Sequence, residues 1–239
     1  MDYQIRWKRR FRAMYIQART TLQPSFQSHI WAGERGDPAH LNYMSELDSV
    51  RNKVLWEVLR SFHPQTVVEI GSSLGSKIVT FAKDNPGMKL VGLDINPNAV
   101  EKGQLIADEM QLDNLTFEVF DIAKNSISDL KLEMKDTVIF SWATLIYIHP
   151  INIVKVLKSI LKQEPLGFVF IEQHSDKLTV SRKRGKIIHG GPNYIRDYLH
   201  LLEKLGAFTK YQIQSYPISS EIWSPGGGNA SMIVGRRKS

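Results

Sequence analysis

From about residue 46 onward the apolar positions switch between two rhythms. Short β-branched runs at 66–70, 89–94, 115–120, 136–141 and 167–172 read as buried strands. Between them, apolar residues at helical spacing predict helices at 46–62, 75–84, 97–111, 126–132, 150–162 and 192–205, with Ser45 as an N-cap of the first. Alternation of this kind predicts an α/β fold: a parallel sheet with helices on both faces. The chain ends differently. Lys210-Tyr-Gln-Ile-Gln-Ser-Tyr-Pro217 and Ala230-Ser-Met-Ile-Val-Gly235 are strand-like with no helix between them, joined by a link that contains Gly226-Gly227-Gly228. An antiparallel terminal hairpin is expected there. Before this domain (45–239), residues 1–44 divide into a basic helical stretch at 3–20 and an irregular, aromatic-bearing stretch at 22–44 with Phe26, Trp31 and Tyr43.

The chemistry concentrates where three of these runs end. Thr66-Val-Val-Glu-Ile-Gly-Ser-Ser-Leu-Gly75 is strand, acid, then a Gly/Ser turn opening a helix. Such turns let the backbone reverse sharply and approach a nucleotide-like ligand. Asp94 ends the second run, 19 residues after Gly75, the offset at which an acid holds ribose hydroxyls. Asp121 closes the third, so three successive strands each end in a carboxylate near one sheet edge. A nicotinamide-binding turn would want G-x-G-x-x-G. Here Gly71 and Gly75 are four apart and an acid precedes the first.

This pattern resembles the class I S-adenosylmethionine-dependent methyltransferases over residues 45–239. The resemblance implies a Rossmann-like doubly wound sheet, order 3-2-1-4-5-7-6, closed by the antiparallel hairpin. It implies S-adenosylmethionine as cofactor and S-adenosylhomocysteine as product. Glu69, Gly71, Ser72, Ser73 and Gly75 would lie by the amino-acid part of the cofactor. Asp94 would hold the ribose hydroxyls and Asp121 would read the adenine amino group, with Ile95 and Ile122 also at the cofactor. Ser141 and Trp142, at the end of the fourth run, would flank the cofactor or the acceptor. One departure stands out: Ser73 occupies the middle glycine of the family turn E-x-G-x-G-x-G.

The substrate side reads less specifically. Ser141-Trp-Ala-Thr144 is neither the Asn/Asp-Pro-Pro-Tyr of base- and glutamine-modifying enzymes nor the aspartate of metal-dependent catechol-type ones. Leu145-Ile-Tyr-Ile-His-Pro150 resembles the Leu-x-His-Ile-x-Pro run of small-molecule and sugar methyltransferases, with Tyr147 at the histidine position and His149 two residues on. Ile30-Trp-Ala-Gly33 resembles the start of methylases associated with pseudaminic acid synthesis. Candidate bases are His174, Glu172, Tyr147 and His149; an imidazole titrates in the range a general base needs. His149 alternatively caps the helix that Pro150 opens. Glu172, His174 and Asp176 lie within five positions, but no second cluster completes a site, so no metal is expected. The stretch from Lys177 to Lys186 holds five basic residues and no acid. It is expected as a loop that grips an anionic acceptor or is simply solvated. His189-Gly-Gly-Pro192 reads as a hinge leading to Tyr194 and Tyr198.

Charge and composition narrow this picture. The net charge is +7, from 31 basic and 24 acidic residues. Residues 1–20 carry +5 and Arg236-Arg237-Lys238 +3, so the remainder is close to neutral. The basic N-terminal helix is read either as touching an anionic membrane surface or nucleic acid, or as packing on the domain or a second subunit. The absence of cysteine excludes disulfides, thiolate metal ligands and cysteine nucleophiles. No apolar run is long enough for a transmembrane segment, and the N-terminus lacks a signal-peptide core, so a cytoplasmic monomer or homodimer is expected. The function expected is methyl transfer to oxygen or nitrogen of a small molecule, an anionic one if the basic stretch grips it. The alternatives are an RNA or protein methyltransferase, or a non-catalytic cofactor-binding module.

Overall fold

The structure is a computed structural model, and it describes residues 50–177, 182–188, 191–218 and 230–238. The N-terminal helix and lid segment expected before residue 45, the Ser45 cap and the Gly-rich link lie outside the described residues. Helix α1 (Val50–Arg60) leads into strand β1 (Thr66–Ile70), helix α2 (Ser76–Asp84), β2 (Lys89–Asp94), α3 (Pro97–Glu109) and β3 (Leu115–Val119). Then follow β4 (Thr137–Trp142), α4 (Pro150–Lys162), β5 (Gly167–Gln173), β6 (Arg182–Ile188), β7 (Gly191–Ile195), α5 (Tyr198–Lys204), α6 (Ala207–Lys210), β8 (Tyr211–Ile218) and β9 (Ala230–Arg237). One sheet of seven strands runs β3-β2-β1-β4-β5-β9-β8. Its first five strands are parallel, while β9 pairs antiparallel with both β5 and β8. This is the Rossmann-like order expected from the sequence, with β9 and β8 as the terminal hairpin.

The sheet separates two cores because successive strand residues face opposite sides. On one face Val67, Phe140, Val169 and Ile171 pack with Leu55, Trp56 and Leu59 of α1, Ile78 and Phe81 of α2 and Val100 of α3. On the other, Val68, Ile139, Phe168 and Phe170 pack with Ile153, Leu157 and Ile160 of α4 and Tyr198 and Leu202 of α5. The strands are covered on both sides, which is why they read as continuous apolar runs.

Three expectations need correction. The helix expected at 126–132 is a single 3-10 turn, Ile127–Leu130. Ser126 and Asp129 form a capping box that starts it, but Lys131 adopts a left-handed φ of 50° and stops it. The helix expected at 192–205 begins only at Tyr198, under an Asp197 cap whose carboxylate accepts from the His200 amide. The preceding residues form β7, since Pro192 has no amide proton to donate and disfavours helix in the residue before it. The basic stretch expected as a loop contains strand β6, including Arg182, Lys183, Arg184 and Lys186, paired antiparallel with β7.

Candidate active site

The carboxyl ends of β1, β2 and β4 meet around the turn at residues 71–75. Gly71 and Gly75 hold φ of 75° and 85°. Ser73, at the family's glycine position, also holds a left-handed φ of 51°. The turn is pinned by its own backbone: the Gly71 and Ser72 amides donate to the Leu93 carbonyl at 2.7 and 2.9 Å. Asp94 fastens it to β2. Its Oδ2 accepts from the Ser73 amide at 2.8 Å, and its Oδ1 accepts from the Asn96 amide at 2.9 Å. Asn96 in turn caps α3 through the Asn98 amide. Each Asp94 oxygen takes one of these backbone bonds, and a carboxylate offers about four acceptor positions in all.

Glu69 lies on the α2 face and is buried, at 1 % exposure. Its Oε2 and the Ser72 hydroxyl are buried polar atoms with no hydrogen-bond partner among the described residues. Buried polar atoms in this state want a partner. Ser72 sits in the turn and Glu69 in the strand leading into it, and a bound ligand's polar groups would satisfy such atoms. Burial pushes the Glu69 carboxyl up to about 8; Lys77 opposes this and Asp94 adds to it. Lys77 also stands over the Trp142 ring, 5.6 Å from its centroid, and so links α2 to the end of β4. Asp121 accepts from the Ala123 amide at 3.0 Å and pairs with Lys124 at 3.1 Å. Ile122 is buried beside it, whereas Ile95 is half-buried after Asp94.

Burial also pushes the Glu172 carboxyl up, to about 7, against hydrogen bonds that favour its charge. The folded chain therefore holds protons on Glu69 and Glu172 that the unfolded chain, with carboxyls near 4.5, has released. Stability should fall as pH rises from about 4.5 towards 8, because the folded state binds more protons over that window. Urea unfolding at stepped pH checks this. Glu69→Gln should remove the part of the decline between pH 7 and 8, and an unchanged profile there would contradict the assignment.

The four candidate bases are gathered around one residue that the sequence reading passed over, Arg196. It is fully buried, just after β7. Its guanidinium donates to the Leu145 carbonyl at 2.8 Å, the Tyr198 hydroxyl at 3.3 Å and the Ile148 carbonyl, and stacks 4.9 Å from the Tyr194 ring. Tyr147 ends the 3-10 turn Leu145–Tyr147 held by that contact. His149 accepts from the Ile151 amide through Nδ1 at 3.3 Å, capping α4, and meets Tyr194 edge-on at 5.8 Å. His174 accepts from the Tyr198 amide through Nδ1 at 3.2 Å. Burial lowers its pKa, with Asp197 opposing. Glu172, fully buried on the α4 face, accepts from the Ser141 hydroxyl at 2.8 Å and from the amides of Thr144, Leu145 and Ile146 at 3.0–3.2 Å.

Arg196, Lys77 and Thr144 carry no signature in the sequence. Arg196 reads there as an ordinary charge before a helix; its burial comes from contacts with Leu145, Ile148, Tyr194 and Tyr198 that the sequence does not show. Among the described residues no group of three or more His, Cys, Asp or Glu is placed to hold a metal ion. No described helix is long and apolar enough to cross a membrane.

Comparison with known proteins agrees with the fold. Residues 63–204 match the family model of a methyltransferase domain, more than half of the chain, and the protein belongs to that family. Among solved structures, it is similar to the Burkholderia thailandensis 1,6-didemethyltoxoflavin-N1-methyltransferase, solved with 1,6-didemethyltoxoflavin and S-adenosylhomocysteine. The two share 13 % identity at a TM-score of 0.63, over 90 % of this chain and 91 % of that one. The N-terminal domain of EvdMO1 with S-adenosylhomocysteine bound gives 14 % identity and a TM-score of 0.58, over 85 % and 82 % of the two chains. The magnesium protoporphyrin IX methyltransferase ChlM from Synechocystis PCC 6803, with bound S-adenosylmethionine, gives 13 % and 0.55, over 95 % and 97 %. Comparison with the curated proteins gives no match.

Proposed function

We propose that this methyltransferase moves the methyl group of S-adenosylmethionine to oxygen or nitrogen of a small molecule, by orientation more than by side-chain base catalysis. The observation that carries the donor is the turn at 71–75 fastened to Asp94, with the unpartnered Glu69 and Ser72 atoms beside it. S-adenosylmethionine supplies an electrophilic methyl on a sulfonium. Asp94 would accept from both ribose hydroxyls, Glu69 would face the amino-acid end, and Asp121 would read the adenine amine. Ile95 and Ile122 would border the adenine, while Ser141 and Trp142 at the end of β4 would border the transfer site.

The readiness of the candidate bases supports the second half. His174 and His149 each give the Nδ1 lone pair to a backbone amide. A neutral imidazole bonded in this way carries its proton on Nε2 and donates there. The Glu172 oxygens are shared among three amides and a hydroxyl inside the protein. Three of the four candidates thus have their basic electrons engaged. Holding the reactants in line supplies much of the acceleration in a displacement of this kind. An amine or an already ionised acceptor needs no base. The five basic residues from 177 to 186, next in the chain after β5, support an acceptor bearing a negative group.

Methyl-labelled S-adenosylmethionine, offered with a low-molecular-weight metabolite fraction, total RNA or total protein, tests this. Label is expected in the metabolite fraction; label confined to RNA or protein overturns the small-molecule reading. With the acceptor found, His174→Asn should keep turnover within about tenfold, because its Oδ1 can still accept from the Tyr198 amide. Loss on the order of 10²–10⁴ would show that His174 is a base.

A further inference from the structure

Two buried residues, one acceptor and one donor, hold the segment after β4 from both sides. Glu172 takes its amides, at Thr144, Leu145 and Ile146. Arg196 takes its carbonyls, at Leu145 and Ile148. Neither side chain is exposed to water. Arg196 also donates to the Tyr198 hydroxyl at 3.3 Å. The segment needs such help because it leaves β4 through Ala143, which holds a left-handed φ of 55°. What the segment carries explains the need for precision. Thr144 packs directly onto Gly71 of the 71–75 turn: a Cβ added to Gly71 would lie 2.1 Å from the Thr144 hydroxyl oxygen and 2.4 Å from its methyl. The same segment delivers Tyr147 and His149 to the acceptor side.

We propose that Glu172 and Arg196 form a two-sided hydrogen-bond clamp that presses residues 144–148 onto the donor turn, so that donor affinity is set in part by two residues outside the donor cradle. Both are positioning residues that act through Thr144. The inference rests on the reading of the 71–75 turn as the methyl-donor site. Buried hydrogen-bonded side chains hold backbone segments in one arrangement because every alternative strands a polar group without a partner.

The test is calorimetric titration with S-adenosylhomocysteine, together with amide hydrogen exchange, on wild type, Glu172→Gln, Arg196→Lys and Thr144→Ala. Glu172→Gln and Arg196→Lys should speed exchange of the amides at 144–148 while those of β1–β3 keep wild-type rates. Each should weaken S-adenosylhomocysteine by roughly 3- to 30-fold, the usual range for coupling through packed elements. Folded variants that bind within twofold of wild type would overturn the clamp, as would faster exchange spread evenly over the sheet. If the clamp variants fail to fold, Thr144→Ala decides. Its half-buried side chain is the wall the clamp presses home, so it should weaken binding in the same range, and unchanged affinity overturns the proposal. Failure of the underlying reading looks different: wild type itself would not bind S-adenosylhomocysteine, and an Asp94→Ala control would change nothing.

Discussion

Replacing Asp94 by alanine is expected to weaken S-adenosylhomocysteine by about 30- to 150-fold. Asp94 is held rigidly by the Ser73 and Asn96 amides, one to each oxygen. Two ribose hydroxyls would complete it, and each hydrogen bond to a charged group contributes about 1.5–3 kcal/mol when its loss leaves a partner unsatisfied. Losing both contacts, with water partly replacing them, gives a net cost of about 2–3 kcal/mol. The Ser73 amide also loses its partner, so the turn loosens. Asp94→Asn should fall between wild type and alanine, since one oxygen remains. Calorimetric affinities equal to wild type in both variants would remove Asp94 from the donor site.

The second large effect concerns Gly71 and Ser73, which have the same left-handed backbone but opposite surroundings. Gly71→Ala should destabilise the protein by about 2–5 kcal/mol. A side chain at a φ of 75° costs about 1–2 kcal/mol. Its Cβ would also drive into Thr144 at 2.1 Å, and overpacking of this kind adds about 1–3 kcal/mol. Ser73→Gly should do almost nothing. Relief of left-handed strain, about 1–2 kcal/mol, is offset by the extra backbone freedom of glycine in the unfolded chain, about 0.5–1 kcal/mol. Denaturant midpoints of the two variants check the contrast. Similar, small effects for both would mean that the turn geometry at Gly71 is not as described. The comparison also explains how serine can stand where the family turn has glycine: the strain is modest, and the Ser73 amide is held by Asp94.

The parallel half of the fold was legible because its central strands β1, β4 and β5 are buried on both faces and read as largely apolar runs. Helix α4 matched its expected limits of 150–162 because Pro150 and His149 mark its start unambiguously. What was not legible depends on contacts made far along the chain. The sequence of β6, Arg182-Lys-Arg-Gly-Lys-Ile-Ile188, has a basic first half that looks like solvated loop; only pairing with β7 makes it a strand. The 3-10 turn at 127–130 has helix-like apolar spacing and a capping box, but it ends after one turn. The places of Glu69 and Asp94 at strand ends and of Gly71 in the turn were legible because strand-end acids and turn glycines repeat at characteristic offsets. The engagement of Glu172 and His174 with backbone amides was not, since a sequence shows that a strand ends in Glu-Gln-His but not which amides will face it. Arg196 was missed for the same reason, and it is the residue around which the candidate bases collect.

The central claim is that the turn at 71–75 and Asp94 form a methyl-donor site. It is tested most directly by titrating the purified wild-type chain with S-adenosylmethionine, S-adenosylhomocysteine and a nicotinamide dinucleotide in parallel calorimetric runs. Saturable one-site binding of the two sulfur nucleosides, with none of the dinucleotide, is the result predicted. No heat from either sulfur nucleoside at millimolar concentration, or tighter binding of the dinucleotide, would contradict it.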